Sequence, residues 1–321
     1  MTRADPAFAG HVVMTDGHEI YAELTGPEDA LRAVFLHGGP GSGCQPAHRA
    51  LFGPDTRLLM FDQRGAGRSA PRRGRDANTT AHLVADIERL RRHFGIDRWL
   101  VVGGSWGATL ALAYAQAHPD RVRGLVLRSV FLGTRAELEA VFLDTLPRFY
   151  PGLWEDFVSL LTPSERADPL GAYWARILDP DPARHRAAAW AWHDTERILS
   201  QIRPAATRLD LAALDDPARG LPATPFMEAH YFRNDCFLNA PLLSRADRLR
   251  GIPGVIVQAR YDLLCPPATA HALARRWDAA RIVDVADAGI RWTIAARRKR
   301  CARPLPTWAD LGPSPAALTL P

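Results

Sequence analysis

The sequence predicts an α/β fold, a mostly parallel central sheet covered by helices on both faces and carrying an inserted helical lid. Three observations carry that expectation. From Val12 to Leu127 short apolar runs alternate with segments of helical period, the pattern that builds parallel sheets from strand–helix–strand units. Between about Arg135 and Ala246 the texture changes to helical segments with proline-marked breaks and with Trp154, Trp174, Trp190 and Trp192. At Gly254 the strand texture resumes. The expected organisation is therefore a core in two parts, residues 1–134 and 247–289, a lid over residues 135–246, and an atypical basic, proline-rich tail over residues 290–321.

Each element has its own signal. Val12 to Leu24 reads as two short strands turned at Asp16-Gly17, a dipeptide that tolerates positive φ. Ala33 to Leu36 is an apolar run that ends in His37-Gly38-Gly39-Pro40-Gly41, and Arg57 to Phe61 is another that ends in Asp62-Gln63-Arg64-Gly65. Leu83, Val84, Ile87, Leu90 and Phe94 repeat at helical spacing within Thr79 to Phe94. Trp99 to Val102 is a buried strand that breaks at Gly103-Gly104, followed by a helix from Ser105 to His118 and a strand from Val122 to Leu127. After the lid come a strand at Gly254 to Gln258, a helix from about Pro267 to Trp277 and a last strand near Arg281 to Val285.

Composition excludes several classes. The chain has 321 residues, 47% hydrophobic and 23% charged, ordinary for a globular protein. No apolar run approaches the ~20 residues needed to cross a bilayer, and the first ten residues lack the apolar stretch of a signal peptide, so a cytoplasmic location is expected. Cys44, Cys236, Cys265 and Cys301 have no metal spacing, and no disulfide, metal or cofactor is expected. The net charge of +5 would raise the question of nucleic acid, but residues 290–321 hold six basic groups and one acid, leaving 34 of each sign in the rest. A neutral body lacks the basic face of a nucleic-acid binder. Neither membrane nor nucleic-acid partners are expected, and oligomeric state is left open.

Gly103-Gly104-Ser105-Trp106-Gly107 fits G-x-S-x-G between a buried strand and a helix. Small residues two before and two after permit the tight turn that lifts a serine hydroxyl above the sheet, and the helix start offers N–H groups to a developing oxyanion. The plain alternative is a glycine turn with serine as helix cap. The loop His37-Gly38-Gly39-Pro40-Gly41 follows an earlier strand, so the amides of Gly39 and Trp106 are the expected oxyanion donors. Asp62-Gln63-Arg64-Gly65 reads first as a hydrogen-bonded structural loop. Asp262 ends the later strand and follows the serine in chain order, where an acid would orient a histidine; a capping aspartate is the alternative.

HGGPGSG, DQRGAGRS, GGSWGATLALAYAQAHP and ARYDLLCP resemble, in order and spacing, the proline iminopeptidases of the α/β-hydrolase superfamily, from about Val12 to Gly289. The resemblance implies an α/β-hydrolase fold, removal of N-terminal proline from peptide substrates, and no cofactor. It also implies that Glu196, in Trp192-His193-Asp194-Thr195-Glu196, and Glu228, in Glu228-Ala229-His230-Tyr231-Phe232, bind the substrate's free amine. Tyr231, Phe232 and lid tryptophans would enclose the proline ring. Threonine at 195 stands where the family pattern has a second tryptophan, which bears on pocket width. An esterase or amidase of the same superfamily and an inactive peptide-binding protein are the rival expectations.

The family pattern after the last strand resembles D-A-G-H-S, whereas this chain reads Asp287-Ala288-Gly289-Ile290-Arg291, and no histidine occurs after His271. The expected catalytic base is not found, so impaired activity is expected. The match stops where the basic composition and the only lysine, Lys299, begin. A reading-frame change near the codon for residue 290 is the simplest origin, a divergent tail the alternative; an intact frame on resequencing would exclude the first.

Overall fold

The structure is a computed structural model that describes residues 6–290; beyond Ile290 the expected tail lies outside the described residues. Among the described residues, eight strands form one sheet in the order β1-β2-β4-β3-β5-β6-β7-β8. β1 (Phe8–Val13) and β2 (Glu19–Thr25) make the antiparallel hairpin around Asp16-Gly17, and β2 is also antiparallel to β4 (Thr56–Phe61). β3 (Leu31–Leu36), β4, β5 (Trp99–Ser105), β6 (Val122–Val130), β7 (Gly254–Ala259) and β8 (Ala280–Val285) are parallel. Parallel pairing points all their C-terminal ends toward one edge, where open α/β sheets place their sites.

Two core helices follow from local chemistry. α1 (Thr80–His93) begins where the Thr79 hydroxyl accepts the His82 N–H, and it buries Leu83, Ile87 and Leu90, one face at 3.6-residue spacing. α2 (Trp106–Ala117) is buried almost all round because it packs on β3, β5 and β6 and is flanked by α1 and by the helical turn Leu242–Leu249. Its neighbours along the chain, Leu100, Val101 and Val102 of β5, are apolar on consecutive positions because both faces of a central strand are covered.

Between β6 and β7 the chain is helical: α3 (Arg135–Glu139), a π-helical turn at Ala140–Thr145, α4 (Leu146–Phe149), α5 (Pro151–Ser159), α6 (Pro169–Ile177), α7 (Pro182–Leu199) and α8 (Thr224–Phe232). α3 starts on a capping box in which Thr134 and Glu137 exchange hydrogen bonds. Aromatic rings fill the lid's interior: Trp192 stacks on Phe142 at 4.4 Å, and Phe157 on Tyr173 at 4.0 Å. α9 (Pro267–Ala274) follows β7 and ends before Trp277, whose indole instead donates to the Ile252 carbonyl at 2.9 Å.

Three boundaries differ from the sequence expectation. β1 starts at Phe8: its burial alternates residue by residue, but the small Ala9 and Gly10 carry too little hydropathy contrast to show it in the sequence. β5 runs to Ser105 and does not break at Gly103-Gly104, since glycines satisfy a parallel ladder when the covering helix must come close. β6 continues to Val130 through Arg128 and Ser129, polar residues that hid the end of a strand but stand at the functional edge. No described helix is long and apolar enough to cross a membrane.

Candidate active site

The turn at Ser105 is fixed by two close approaches of backbone. A Cβ on Gly103 would lie 2.1 Å from the Gly107 carbonyl oxygen, and one on Gly107 would lie 2.1 Å from the Leu36 oxygen. Both glycines are therefore required for the helix to sit down on β3 and β5. Ser105 itself takes φ 55°, ψ −125°, and its side chain caps nothing. Strain of that kind persists only where the surroundings over-determine it, and here it holds the hydroxyl up at the sheet edge. The capping alternative is thereby removed. The hydroxyl reaches the sulfur of Cys265, a thiol that burial pushes well up, so the sulfur is not a base.

Gly39 takes φ 107°, a left-handed conformation suited to glycine, and its loop lies against the serine turn: a Cβ on Gly38 would be 3.7 Å from that of Ser105. Trp106 is the first residue of α2, so its N–H lacks an intrahelical acceptor. Its indole donates to Gln63 Oε1 at 2.8 Å. The loop after β4 is structural, as expected. Asp62 accepts from Cys44 N at 2.6 Å and Arg68 N at 2.9 Å, while Gln63 N donates to His37 Nε2 at 2.9 Å. With its Nδ1 paired to the Gly38 carbonyl as well, His37 is a buried neutral ring whose pKa burial lowers.

Asp262 is 2% exposed. Its Oδ1 accepts from Leu264 N at 3.1 Å and Cys265 N at 2.8 Å, an aspartate turn and not the cap of α9, while Oδ2 has no partner. Burial pushes its pKa up to about 6, opposed by those N–H groups and the neighbouring Ser129 hydroxyl. The segment expected to supply the base packs on this turn: Tyr261 N donates to the Ala288 carbonyl at 3.0 Å, and the Ile290 carbonyl accepts from Arg128 at 3.0 Å. The side chain at the slot after Gly289 is the apolar Ile290, buried at 8% exposure.

The lid brings together both carboxylates that the resemblance singled out. Glu196 from α7 and Glu228 from α8 are hydrogen-bonded to each other, and Trp192 Nε1 donates to Glu228 Oε2 at 2.9 Å. Burial raises both acids, and for Glu228 the charge of Glu196 raises it further. α8 lies directly over the glycine loop, since a Cβ on Gly41 would meet the Met227 side chain at 2.9 Å. Tyr231 packs its ring 4.5 Å from that of Trp106 and donates to Asn78 Oδ1 at 2.7 Å. Phe232 packs on Phe131 and Trp174. Thr195 is fully buried and its hydroxyl has no partner. His230 is engaged with the Asn78 carbonyl at 2.7 Å.

Cys265, Ser129 and Arg128 escaped the sequence reading as neighbours of the site; the only signal was the position of Arg128 and Ser129 at the end of β6 and of Cys265 three residues after Asp262. A cavity of about 400 Å³ lined by Leu243, Asp247, Arg250, Arg276 and Trp277 lies at the opposite, N-terminal end of β7 and β8. It takes no part in this arrangement. Among the described residues there is no cluster of three or more His, Cys, Asp or Glu side chains placed to hold a metal ion.

Residues 34–289 match the model of the α/β hydrolase fold family. The chain is 42% identical over 289 residues to a proline iminopeptidase of Arabidopsis thaliana, covering 89% of this chain and 75% of that one. It is also 42% identical over 287 residues to a probable proline iminopeptidase of Leptolyngbya boryana, covering 88% of each. Among solved structures, the proline iminopeptidase of Mycobacterium smegmatis superposes with a TM-score of 0.59 at 19% identity, over 88% of this chain and 91% of that one, a likeness of fold.

Proposed function

The chain belongs to the α/β-hydrolase family as a serine hydrolase of the proline iminopeptidase type, and from that premise we propose that it is built to release N-terminal proline from peptides, with its own turnover impaired by the residue at 290. Ser105 is the nucleophile and would attack the prolyl carbonyl. The N–H groups of Gly39 and Trp106 would receive the oxyanion, and Asp262 would orient the base. Glu196 and Glu228 would take the imino cation, with Tyr231 and Phe232 against the ring.

The observation that carries this reading is the carboxylate pair on the helices over the glycine loop. Two acids in contact, Glu228 buried and Glu196 half-buried, are costly unless they share a proton or meet a cation, and an N-terminal amine is a cation. Neutral esters offer the pair nothing, which argues against the esterase alternative. A serine without a base is a poor nucleophile, and isoleucine at 290 can neither accept nor donate a proton. An intact pocket with little turnover is the inactive peptide-binding alternative, favoured by Ile290 alone.

The test is hydrolysis of a proline arylamide, its N-acylated form and a simple aryl ester, each with Ser105→Ala as control. A preference for the free prolyl substrate, lost in the alanine variant, supports the assignment; equal rates for free and blocked substrates remove the aminopeptidase reading and leave the hydrolase.

A further inference from the structure

Resting on the reading of the Gly39 and Trp106 N–H groups as the oxyanion donors, we propose that Gln63 is a positioning residue whose side-chain amide ties the loop of Gly39 to the start of α2 and so sets the gap between those donors. The donors come from separate pieces of chain, the loop after β3 and the first residue of α2. The Gln63 amide spans them: its Oε1 accepts the Trp106 indole N–H at 2.8 Å, and its Nε2 donates to the His37 carbonyl at 2.9 Å. Gln63, His37 and Trp106 are each at most 2% exposed. A buried amide satisfied at both ends rigidifies what it joins.

The backbone of Gln63 holds the same loop. Its N–H donates to His37 Nε2 at 2.9 Å, which leaves the ring proton on Nδ1 for the Gly38 carbonyl, also at 2.9 Å. Its carbonyl accepts the Ala66 N–H at 3.0 Å, so every polar group of Gln63 is engaged and the amide alone reaches α2. Close packing sets the lower limit of the gap, since a Cβ on Gly107 would lie 2.1 Å from the Leu36 oxygen and 3.1 Å from that of His37. The amide supplies the opposing attraction. Donors serve an oxyanion only over a narrow range of distance, so a restraint on the gap bears on the chemistry. If Gln63 merely paired the indole, any acceptor would serve; the amide carries donor and acceptor in one plane, and both are used across the two elements.

The test needs no turnover and compares two ligands that share the imino cation. Pyrrolidine-2-boronic acid becomes tetrahedral when the Ser105 oxygen bonds to boron and the hydroxyl proton passes to buffer, which puts a boron-bound oxygen in the oxyanion position; prolinamide stays trigonal. Dissociation constants for both are measured by calorimetry on the full chain. The parent should bind the boronic acid more tightly, and Ser105→Ala should remove that preference. Gln63→Met, of similar volume and without hydrogen-bonding groups, should weaken the boronic acid at least about tenfold, against the ~10² to 10³-fold cost of losing a donor outright, and leave prolinamide unchanged. Gln63→Glu keeps the acceptor for the indole, gives up the N–H donor to His37, and should show the same selective loss if the methionine variant does not fold. Gln116→Met removes another buried amide, at the far end of α2, where Nε2 donates to the Leu242 carbonyl at 2.8 Å; it should lower the melting temperature and keep the preference. A preference undiminished in the Gln63 variants, or an equal loss of both ligands, overturns the proposal. Absence of the preference in the parent is a different result: it removes the oxyanion reading itself, and the proposal with it.

Discussion

Glu196 and Glu228 meet carboxyl to carboxyl across the α7–α8 contact, with the Trp192 indole donating to Oε2 of Glu228. Neither acid has a basic side chain among the causes of its shift, and burial raises both. Two such groups titrate as a pair and hold a proton where a lone exposed glutamate would not. An entering imino cation would replace that proton. The pair is thus a site whose charge is set by what occupies it.

A first prediction uses binding, which survives loss of turnover. Prolinamide should raise the melting temperature of the chain, and N-acetylprolinamide should not, because acylation removes the cation. Glu228→Gln should weaken prolinamide binding at least about tenfold, the scale of a charge-assisted hydrogen bond, while its unliganded melting temperature holds or rises. Equal stabilisation by the free and blocked amides would remove the amine-binding role.

The second prediction is the pH dependence of that binding. A pair that holds a proton must lose it before taking a cation, so affinity for prolinamide should increase from pH 5 to pH 8, while the ligand's own amine stays charged. Calorimetry in two buffers of different ionisation enthalpy should show proton release on binding. A flat profile without proton release would mean that the pair is already fully ionised.

Much of this arrangement was legible in the sequence, and the reasons are physical. G-x-S-x-G was readable because both glycines answer to steric demands of 2.1 Å that no other residue meets. The order of strands and helices was readable because buried parallel strands must be apolar on both faces. Ser129 was not readable, since the bulge it makes between Arg128 and Val130 changes where a side chain points without changing its composition, and Cys265 was not because its turn meets Ser105 only in the folded sheet. The contact of Glu196 with Glu228 depends on how α7 packs on α8, across 32 residues of chain, which no local pattern encodes.

Gly107 supplies the third prediction. Alanine there places a methyl 2.1 Å from the Leu36 oxygen, which is backbone and cannot swing away. Gly107→Ala should destabilise by about 2 kcal/mol or more, the upper part of the range for overpacking, and should distort the serine turn. Gly220→Ala, where nothing lies within 4 Å of the new methyl, is the control and should be neutral within about 0.5 kcal/mol. Comparable melting temperatures for the two variants would contradict the steric account.

Asp262 gives a fourth. Its pKa rises from 3.8 to about 6 on folding, chiefly through burial. The folded state therefore holds this proton more tightly than the unfolded chain, so the contribution to stability is fully present below about pH 3.8 and is lost as pH rises through about 6. Above that, the ionised group costs on the order of 3 kcal/mol. Asp262→Asn, whose amide oxygen can still accept from Leu264 and Cys265, should melt a few degrees higher than the parent at pH 7, with the difference vanishing near pH 4. A variant less stable at pH 7 would show that the carboxylate is better compensated than its unpaired Oδ2 suggests.

The last prediction concerns the base. Position 290 follows Gly289 on the segment whose carbonyls accept from Tyr261, the residue before Asp262, and from Arg128, while Asp262 keeps an unpaired Oδ2. Removal of a triad member leaves only the ~10³ to 10⁴-fold enhancement supplied by the oxyanion hole and binding. Turnover of a proline arylamide by the chain with Ile290 should accordingly be near the limit of an ordinary assay. Ile290→His puts an imidazole at the slot, where Oδ2 can accept one ring N–H and the other nitrogen can take the Ser105 proton. A gain of about a hundredfold or more in kcat is expected, since general-base assistance is worth ~10² to 10⁴, and both Ser105→Ala and Asp262→Asn should abolish the gain. Because His37 and His230 already spend ring nitrogens on Gln63, Gly38 and Asn78, neither is expected to act in place of residue 290. Robust hydrolysis by the parent chain, lost in Ser105→Ala but unchanged in Ile290→His, would sink the impairment and require a base elsewhere in the molecule.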